Sequence, residues 1–382
     1  GASLARILSV ESPVHWGGPA AATRLAGVDV VTECGSIATS EWSEVVGAHL
    51  EAWVARERGD WEAATRAQRD MLVSVQSAWK ENPWCLPLVF RAVLDYRLLA
   101  SRADDEAARA GVTSAEKHLT ECENSIKSVF RDAVTDRSQG PTSRKRACLY
   151  LVVNMFKIHF KLGTIRLCKN LVHSIESGVT PPLSELPLAH VVPYLYYKGR
   201  LLLLEEKFSD AAASLRAALS KCHRSAMRNR RLILEYLVPA RLLTGSLPSQ
   251  ELLERHGLMH YMQLVTAVRH GNLRLFNEVL AKHQAHFIQR GVLLVLEKLF
   301  VVVLRNLVKR IYLVKQTPKF NLKWLETALE WLGESMDADE VECVVANLVY
   351  KRYVRGYISH KHHYLVLSKE NPFPPVSSVV SS

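Results

Sequence analysis

The 382-residue sequence has no C-x-x-C pair among its seven cysteines (Cys34, Cys85, Cys122, Cys148, Cys168, Cys222 and Cys343). Scattered in this way they argue against a disulfide framework and against a thiolate zinc site. Buried, reduced thiols in a cytosolic or nuclear protein are expected instead. Also missing are the phosphate-cradling G-x-x-x-x-G-K-[ST], the zinc-protease H-E-x-x-H and the nucleophile elbow G-x-S-x-G. Each would place a nucleophile, a metal or a phosphate on a defined turn, and without them no catalytic constellation and no cofactor are expected. No basic n-region followed by an apolar h-region stands at the start. The most apolar run, 292–304, is broken by Glu297 and Lys298; it is too short to span a bilayer and reads as a buried helix, so no membrane partner is expected.

What the chain does have is apolar content, uneven charge and helical rhythm. Apolar residues make up 48% and charged residues 23% of it, the balance of a globular chain with a sizeable core. Residues 1–139 carry 15 Lys and Arg against 20 Asp and Glu, and residues 140–382 carry 34 against 18. Net charges of −5 and +16 thus make up the overall +11. An acidic partner, nucleic acid or peptide, should prefer the C-terminal half.

Residues 1–40 are rich in Gly, Ala, Ser, Thr and Pro. A helical turn or two is expected near Leu4, but Gly17, Gly18 and Pro19 break any continuation, so the segment reads as flexible or loosely packed. Beyond it the helical signal is strong. Trp42, Val45, Val46, His49, Leu50 and Trp53 form one stripe. Gly59 then turns the chain and Asp60 is placed to cap a helix over 61–80. A third helix is predicted over 86–101, with Pro87 tolerated in its first turn. The same step recurs as RGDWEAA (58–64), KLGTIRL (161–167), EKFSDAA (206–212) and RHGNLRLF (269–276). Each ends one helix, turns, and starts another with an apolar anchor and small residues. That is how tetratricopeptide-like helical hairpins stack, each pair burying a face it could not bury alone. One long helix is predicted over 291–316, and no strand before residue 354.

The C-terminal stretch reads differently. Leu322, Leu325, Leu329 and Leu332 predict a short helix over 321–332. A second, over 337–353, carries Val341, Val344, Val345, Leu348 and Val349 on one face. Two β-rich runs follow, 354–359 and 364–367, separated by His360–His363. Helix, turn, helix and a two-stranded wing is the order of a winged helix. A solenoid leaves the apolar face of its last repeat exposed, and this module is placed to cap it. The expected fold class is therefore all-α: a tetratricopeptide-like helical-repeat solenoid capped by a C-terminal winged helix with a small β-wing. The expected division is 1–40, helical repeats 41–200, a further helical part 201–317, the winged helix 318–370 and a tail 371–382.

With the long helix over 291–316 and the winged helix after it, GNLRLFNEVLAKH (271–283) resembles part of a PCI domain, the module shared by proteasome-lid, signalosome and initiation-factor scaffolds. CHRS (222–225), NRRLILEYLVP (229–239), LEKL (296–299), RNL (305–307), ANLVY (346–350), GYISHKH (356–362) and SKENPFPP (368–375) extend the likeness. Together they resemble the PCI-domain subunits of the nuclear-pore-associated transcription-and-export complex. The resemblance covers roughly residues 42–376 and assigns 201–317 to the helical part of the PCI domain; residues 1–40 do not share it. It implies a non-catalytic subunit that pairs its winged helix with that of a Sac3 or germinal-centre-associated scaffold. It also implies a small acidic, disordered partner shared with the proteasome lid, a hetero-oligomer, and a nuclear, pore-associated location with some cytoplasmic protein. The joined winged helices would form a platform for RNA, and for DNA, without strong sequence preference. The alternative is a purely protein-binding PCI scaffold of a signalosome- or proteasome-lid-like assembly.

Charge layout bears on that choice. Asp337, Asp339, Glu340 and Glu342 crowd the start of the second winged-helix segment, complementing the macrodipole. A DNA-reading helix offers its N-terminal residues to base edges, and four carboxylates there would be repelled by phosphate. Sequence-specific duplex reading is therefore not expected. Backbone contact from Lys351, Arg352, Arg355, Lys361, His362 and His363 is the functional reading, and a solvated face the plain one. A second cluster, Lys221, Arg224, Arg228, Arg230 and Arg231, is placed in a turn between helices. Arg305, Lys309, Arg310, Lys315, Lys319 and Lys323 would extend a basic face. Candidate nucleic-acid contacts are thus Lys319, Lys323, Lys351, Arg352, Arg355, Lys361, His362, Arg228, Arg230 and Arg231. Candidate partner contacts are Val354, Tyr357, Ile358, Tyr364 and Val366. His360, His362 and His363 lack a carboxylate or thiolate at ligand spacing, so no metal is expected there. His283 and His286 read as packing or surface residues, Cys343 as an inert buried thiol, and Tyr194, Tyr196 and Tyr197 as core.

Overall fold

The computed structural model describes residues 2–9, 40–111, 116–178 and 180–380. The chain divides into two compact units, Gly1–Tyr194 and Leu195–Ser382. Among the described residues no helix is long and apolar enough to cross a membrane.

The first unit is a succession of helices: α1 (Ala2–Ile7), α2 (Ser40–Glu57), α3 (Trp61–Glu81), α4 (Leu86–Arg109), α5 (Lys117–Val134), α6 (Cys148–Leu162) and α7 (Cys168–Glu176). From α2 onward each packs on the next in sequence, as short connections between amphipathic helices require. Between α2 and α3, Gly59 takes a left-handed φ of 78° and the Asp60 carboxylate accepts a 2.9 Å bond from Ala63 N. Ala52, Ala64, Ala67 and Leu99 are buried together. The small residues of the recurring step thus let neighbouring backbones approach. α4 runs eight residues past the predicted end, because its buried Asp104 accepts from His118 N and Leu119 N (3.0 and 2.9 Å) and so caps α5. Ala5 and Leu8 are buried and α1 packs on α4. Residues 10–39, the bulk of the segment expected to be loosely packed, lie outside the described residues.

The α2 stripe places His49 fully inside this unit. Burial, with the Arg91 charge second, pushes its pKa down to about 4. A histidine held neutral when folded but free to protonate at pH 6.5 when unfolded destabilises the fold as pH drops from 6.5 toward 4. Urea unfolding of this unit should show about 2 kcal/mol less stability at pH 5 than at pH 7 from this residue alone. His49→Leu should flatten that dependence; an unchanged slope would remove His49 as its source.

The second unit begins within α8 (Leu188–Leu204) and continues with α9 (Phe208–Lys221), α10 (Met227–Leu243), α11 (Gln250–Arg255), α12 (Met262–His270), α13 (Leu273–Lys282), α14 (Gln284–Arg290), α15 (Leu293–Glu297) and α16 (Phe300–Lys315). A Cβ at Gly199 of α8 would come within 2.5 Å of the Leu215 side chain of α9. The long helix predicted over 291–316 is therefore two, α15 and α16. The chain tightens at Lys298–Leu299, with Leu299 N bonded to Leu296 O at 2.9 Å, and this turn puts Leu296 and Leu299 both in the core at 0% exposure. The cluster expected in a turn also moves: Arg228, Arg230 and Arg231 are on the first turns of α10.

The winged helix comprises β1 (Lys319–Asn321), α17 (Leu322–Trp331), α18 (Ala338–Tyr350), β2 (Gly356–Ser359) and β3 (Tyr364–Leu367). The expectation of a two-stranded wing with no strand before 354 is corrected here. β1 pairs antiparallel with β3, giving a three-stranded sheet of order β1-β3-β2. Three residues carry no periodicity of their own; β1 exists because β3 supplies its partners. The module is joined to the helices by Arg274, which donates from Nε to Leu332 O at 3.2 Å and from its Nη2 to Trp331 O. Asn277 bonds Glu334 beside it. The tail is docked too, ending in α19 (Val376–Val380), which packs on α9. Buried Arg305 donates to Phe373 O (3.1 Å) and Pro374 O (2.8 Å), so it belongs to the core and not to the basic face. Cys343 is exposed, while Cys85, Cys122, Cys148, Cys168 and Cys222 are buried and unbridged; its position falls between the inward turns of α18 set by Val341, Val345 and Leu348.

Candidate nucleic-acid and partner interface

The acidic start of α18 is engaged locally. Asp337 accepts from Glu340 N at 2.7 Å and Glu340 accepts from Asp337 N at 3.0 Å, a complete capping box. Glu342 reaches across to the wing turn, accepting from His360 Nδ1 at 2.8 Å with His363 Nδ1 at 3.6 Å. A carboxylate thus does stand beside these histidines, contributed from 18 residues upstream. The bonds tie the wing turn to the helix.

The opposite end of α18 is basic. Lys351 is its C-cap, Arg352 adopts a left-handed φ of 61°, and Lys351, Arg352 and Arg355 are exposed. Arg352 and Arg355 meet in one cleft with Val349, Val354 and the tail residues Pro374 and Ser378. Lys361 and His362 are exposed on the turn between β2 and β3, and Lys323 on the first turn of α17.

Register decides what the sheet presents. Residues directly opposite on antiparallel strands share a face. One row is Lys319, Val366 and Tyr357, and another Asn321, Tyr364 and Ser359. Between them Phe320, Leu365 and Ile358 form the inward row, with Phe320 and Leu365 at 0% exposure. Of the candidate partner residues, Tyr357, Tyr364 and Val366 therefore share the outer face with Lys319. Ile358 falls on the inner side, half-buried. Val354 is wholly buried and is corrected from a surface contact to a core residue.

The α10 cluster stands on a separate element. Arg230 is half-buried and donates to Leu219 O (3.4 Å) and Cys222 O (3.3 Å), closing the end of α9. It is a structural cap and not a free cation, whereas Arg228 and Arg231 are exposed. Residues missed by the sequence reading are the exposed aromatics Trp331 (73%) and Tyr350 (85%), which join Tyr357 (64%). Their signal was available: each lies off the leucine and valine stripe of its helix. The Tyr196 and Tyr197 rings pack in a cluster with Tyr236 and Arg200.

A helical array ending in a winged helix with an outward sheet face is the architecture of a PCI protein, and the PCI domain family model matches residues 280–369. Similar chains are PCI domain-containing protein 2 of Danio rerio, 37% identical over 352 residues (91% of this chain, 88% of the relative), and its Xenopus laevis counterpart, 37% over 353 residues (91% and 88%). Enhanced ethylene response protein 5 of Arabidopsis thaliana is 38% identical over 309 residues (78% and 73%). The chain belongs to the PCI domain-containing protein 2 family.

Proposed function

We propose that the protein is a non-catalytic scaffold subunit of a nuclear mRNA-export complex that couples transcription to export. In this reading the outer sheet face joins the winged helix of a Sac3 or germinal-centre-associated scaffold subunit. The cations at the end of α18 and on the wing then contribute half of a composite surface for RNA, and for DNA, without base reading. The basic C-terminal half would hold a small acidic, disordered subunit, and the complex would work in the nucleus at the pore, with some cytoplasmic protein. The observation that carries the proposal is the split of α18. Its acidic start is closed by a capping box and the wing histidines, while its basic end opens onto the Arg352–Arg355 cleft. Such a helix repels phosphate where a sequence-reading helix would touch bases, and attracts it where contacts are sequence-blind.

Replacing Lys351, Arg352 and Lys361 by Glu in the complex with the scaffold subunit should weaken RNA binding at least tenfold near 0.1 M salt. The slope of log affinity against log salt should shrink by roughly 2, the share of three phosphate contacts. Co-purification of the subunits should persist. A second reading, protein binding alone, is favoured by the exposed Trp331, Tyr350 and Tyr357, large apolar surfaces of the kind protein partners cover. Loss of co-purification with RNA affinity unchanged would support it and reject the platform.

A further inference from the structure

Three side chains far apart in sequence converge inside the second unit. Glu235 lies in the middle of α10 and is buried. His260 sits on the single turn Met259–Tyr261 before α12, and His286 on α14. Both histidines direct Nε2 at the same carboxylate oxygen, Glu235 Oε1, at 3.0 Å and 2.7 Å. The donor atoms of all three lie within 4.8 Å of one another. Their rings are set by packing: His260 meets His286 edge-on at 4.5 Å, and Tyr261 stacks on Phe287 at 5.7 Å. The Tyr261 hydroxyl donates to Glu235 O at 2.9 Å, fixing the backbone that carries the carboxylate. The His286 side chain keeps 31% of its surface exposed and that of His260 12%, so one side of the cluster faces solvent.

We propose that Glu235, His260 and His286 form a binding site for one divalent transition-metal ion of the Zn²⁺ class. Two imidazole nitrogens and one carboxylate oxygen within 4.8 Å of one another make up the two-histidine, one-carboxylate donor set, which suits borderline metals and leaves positions open for solvent. Metal–ligand bonds of about 2.0–2.1 Å in a tetrahedron separate neighbouring ligand atoms by about 3.3 Å. The observed separations of 2.7 and 3.0 Å reach that value by side-chain shifts of a few tenths of an ångström. The ion would replace two shared hydrogen bonds by three bonds linking α10, the 259–261 turn and α14, with each imidazole proton moving from Nε2 to Nδ1 or leaving to solvent as the metal binds. Its role is to clamp the helices that lead into the winged helix.

The test is titration of the tag-free full-length chain with Co²⁺ and Zn²⁺ after chelator treatment. Expected are visible d–d absorption bands saturating at one Co²⁺ per chain, their loss on adding Zn²⁺, and a rise of several degrees in melting temperature with Zn²⁺. His286→Gln, a change at a half-exposed position, should weaken Co²⁺ binding at least tenfold, and His260→Gln likewise. The triple change of His360, His362 and His363 to Gln on the wing should leave binding unaltered. A wild-type chain with no saturable Co²⁺ bands overturns the site and leaves a hydrogen-bonded cluster. Binding lost in the wing variant but retained in His260→Gln and His286→Gln overturns it equally.

Discussion

Gly271→Ala should lower the stability of the second unit by about 3 kcal/mol or more, the combined cost of an unfavourable backbone conformation and of a clash in a packed interior. Gly271 closes α12 at a φ of 66°, where residues other than glycine are strained. A Cβ there would stand 2.4 Å from Leu307 N, 2.7 Å from Leu307 Cα and 2.9 Å from Asn306 C. All three are backbone atoms of α16, which cannot swing aside as a side-chain tip would. The next residue, Asn272, starts α13 by accepting from Leu275 N at 3.0 Å, so one dipeptide both stops a helix and seats it on its neighbour. Gly291 supplies the internal control. Its φ is 67°, yet nothing lies within 4 Å of its would-be Cβ, so Gly291→Ala should cost only about 1 kcal/mol. Urea unfolding followed by circular dichroism measures both. Equal losses in the two variants would show that the α12–α16 approach is not tight.

Arg305→Ala ranks beside it, with an expected loss of about 3–4 kcal/mol. Arg305 is 6% exposed, and its guanidinium carbon lies 5.7 Å from the centre of the Phe373 ring. One nitrogen serves two tail carbonyls, Phe373 O and Pro374 O, and the other donates to Asn306 Oδ1 at 2.8 Å. Alanine would leave those carbonyls buried without a donor and a cavity where the side chain was. The tail should loosen first. Limited proteolysis is expected to cut after Lys369 in the variant well before the parent chain, with the global unfolding midpoint falling in step. Arg305→Lys keeps the charge but cannot span both carbonyls and the ring, and should fall between the two. A variant whose tail resists protease as well as the parent would assign the docking to Val376 and its neighbours instead.

The two positions mark how far local pattern reaches. α2 and α3 were readable because a 3.6-residue stripe, a left-handed glycine and a capping aspartate coincide within 20 residues. The pair α17 and α18 was readable because Leu322, Leu325 and Leu329, then Val341, Val345 and Leu348, each mark one buried face. The PCI likeness was readable because its motifs are short and contiguous. The break between α15 and α16 was not, since apart from Glu297 and Lys298 the run Val292–Leu304 is apolar throughout and offers no stripe from which to see a change of phase. Nor was the inwardness of Ile358, which depends on the pairing of β2 with β3 and shifts side with a slip of one residue, or that of Val354, whose N–H turns back to Leu348 O of α18.

For the interface, composition and order along the chain supply the inventory: a basic C-terminal half and a helix acidic at its start and basic at its end. These are one-dimensional facts, and charge and periodicity act at short range along the chain. Packing settles which of those residues stand at the surface. It withdrew Arg305 and Arg230 to bond carbonyls 68 and 11 residues away, and buried Val354. It aligned Lys319 with Tyr357 across two strand pairings. It also gathered Glu235, His260 and His286 from three helical elements around one oxygen. A buried polar group must find its partner wherever the fold brings one, and that search runs across the packed interior, where spacing along the chain carries no information.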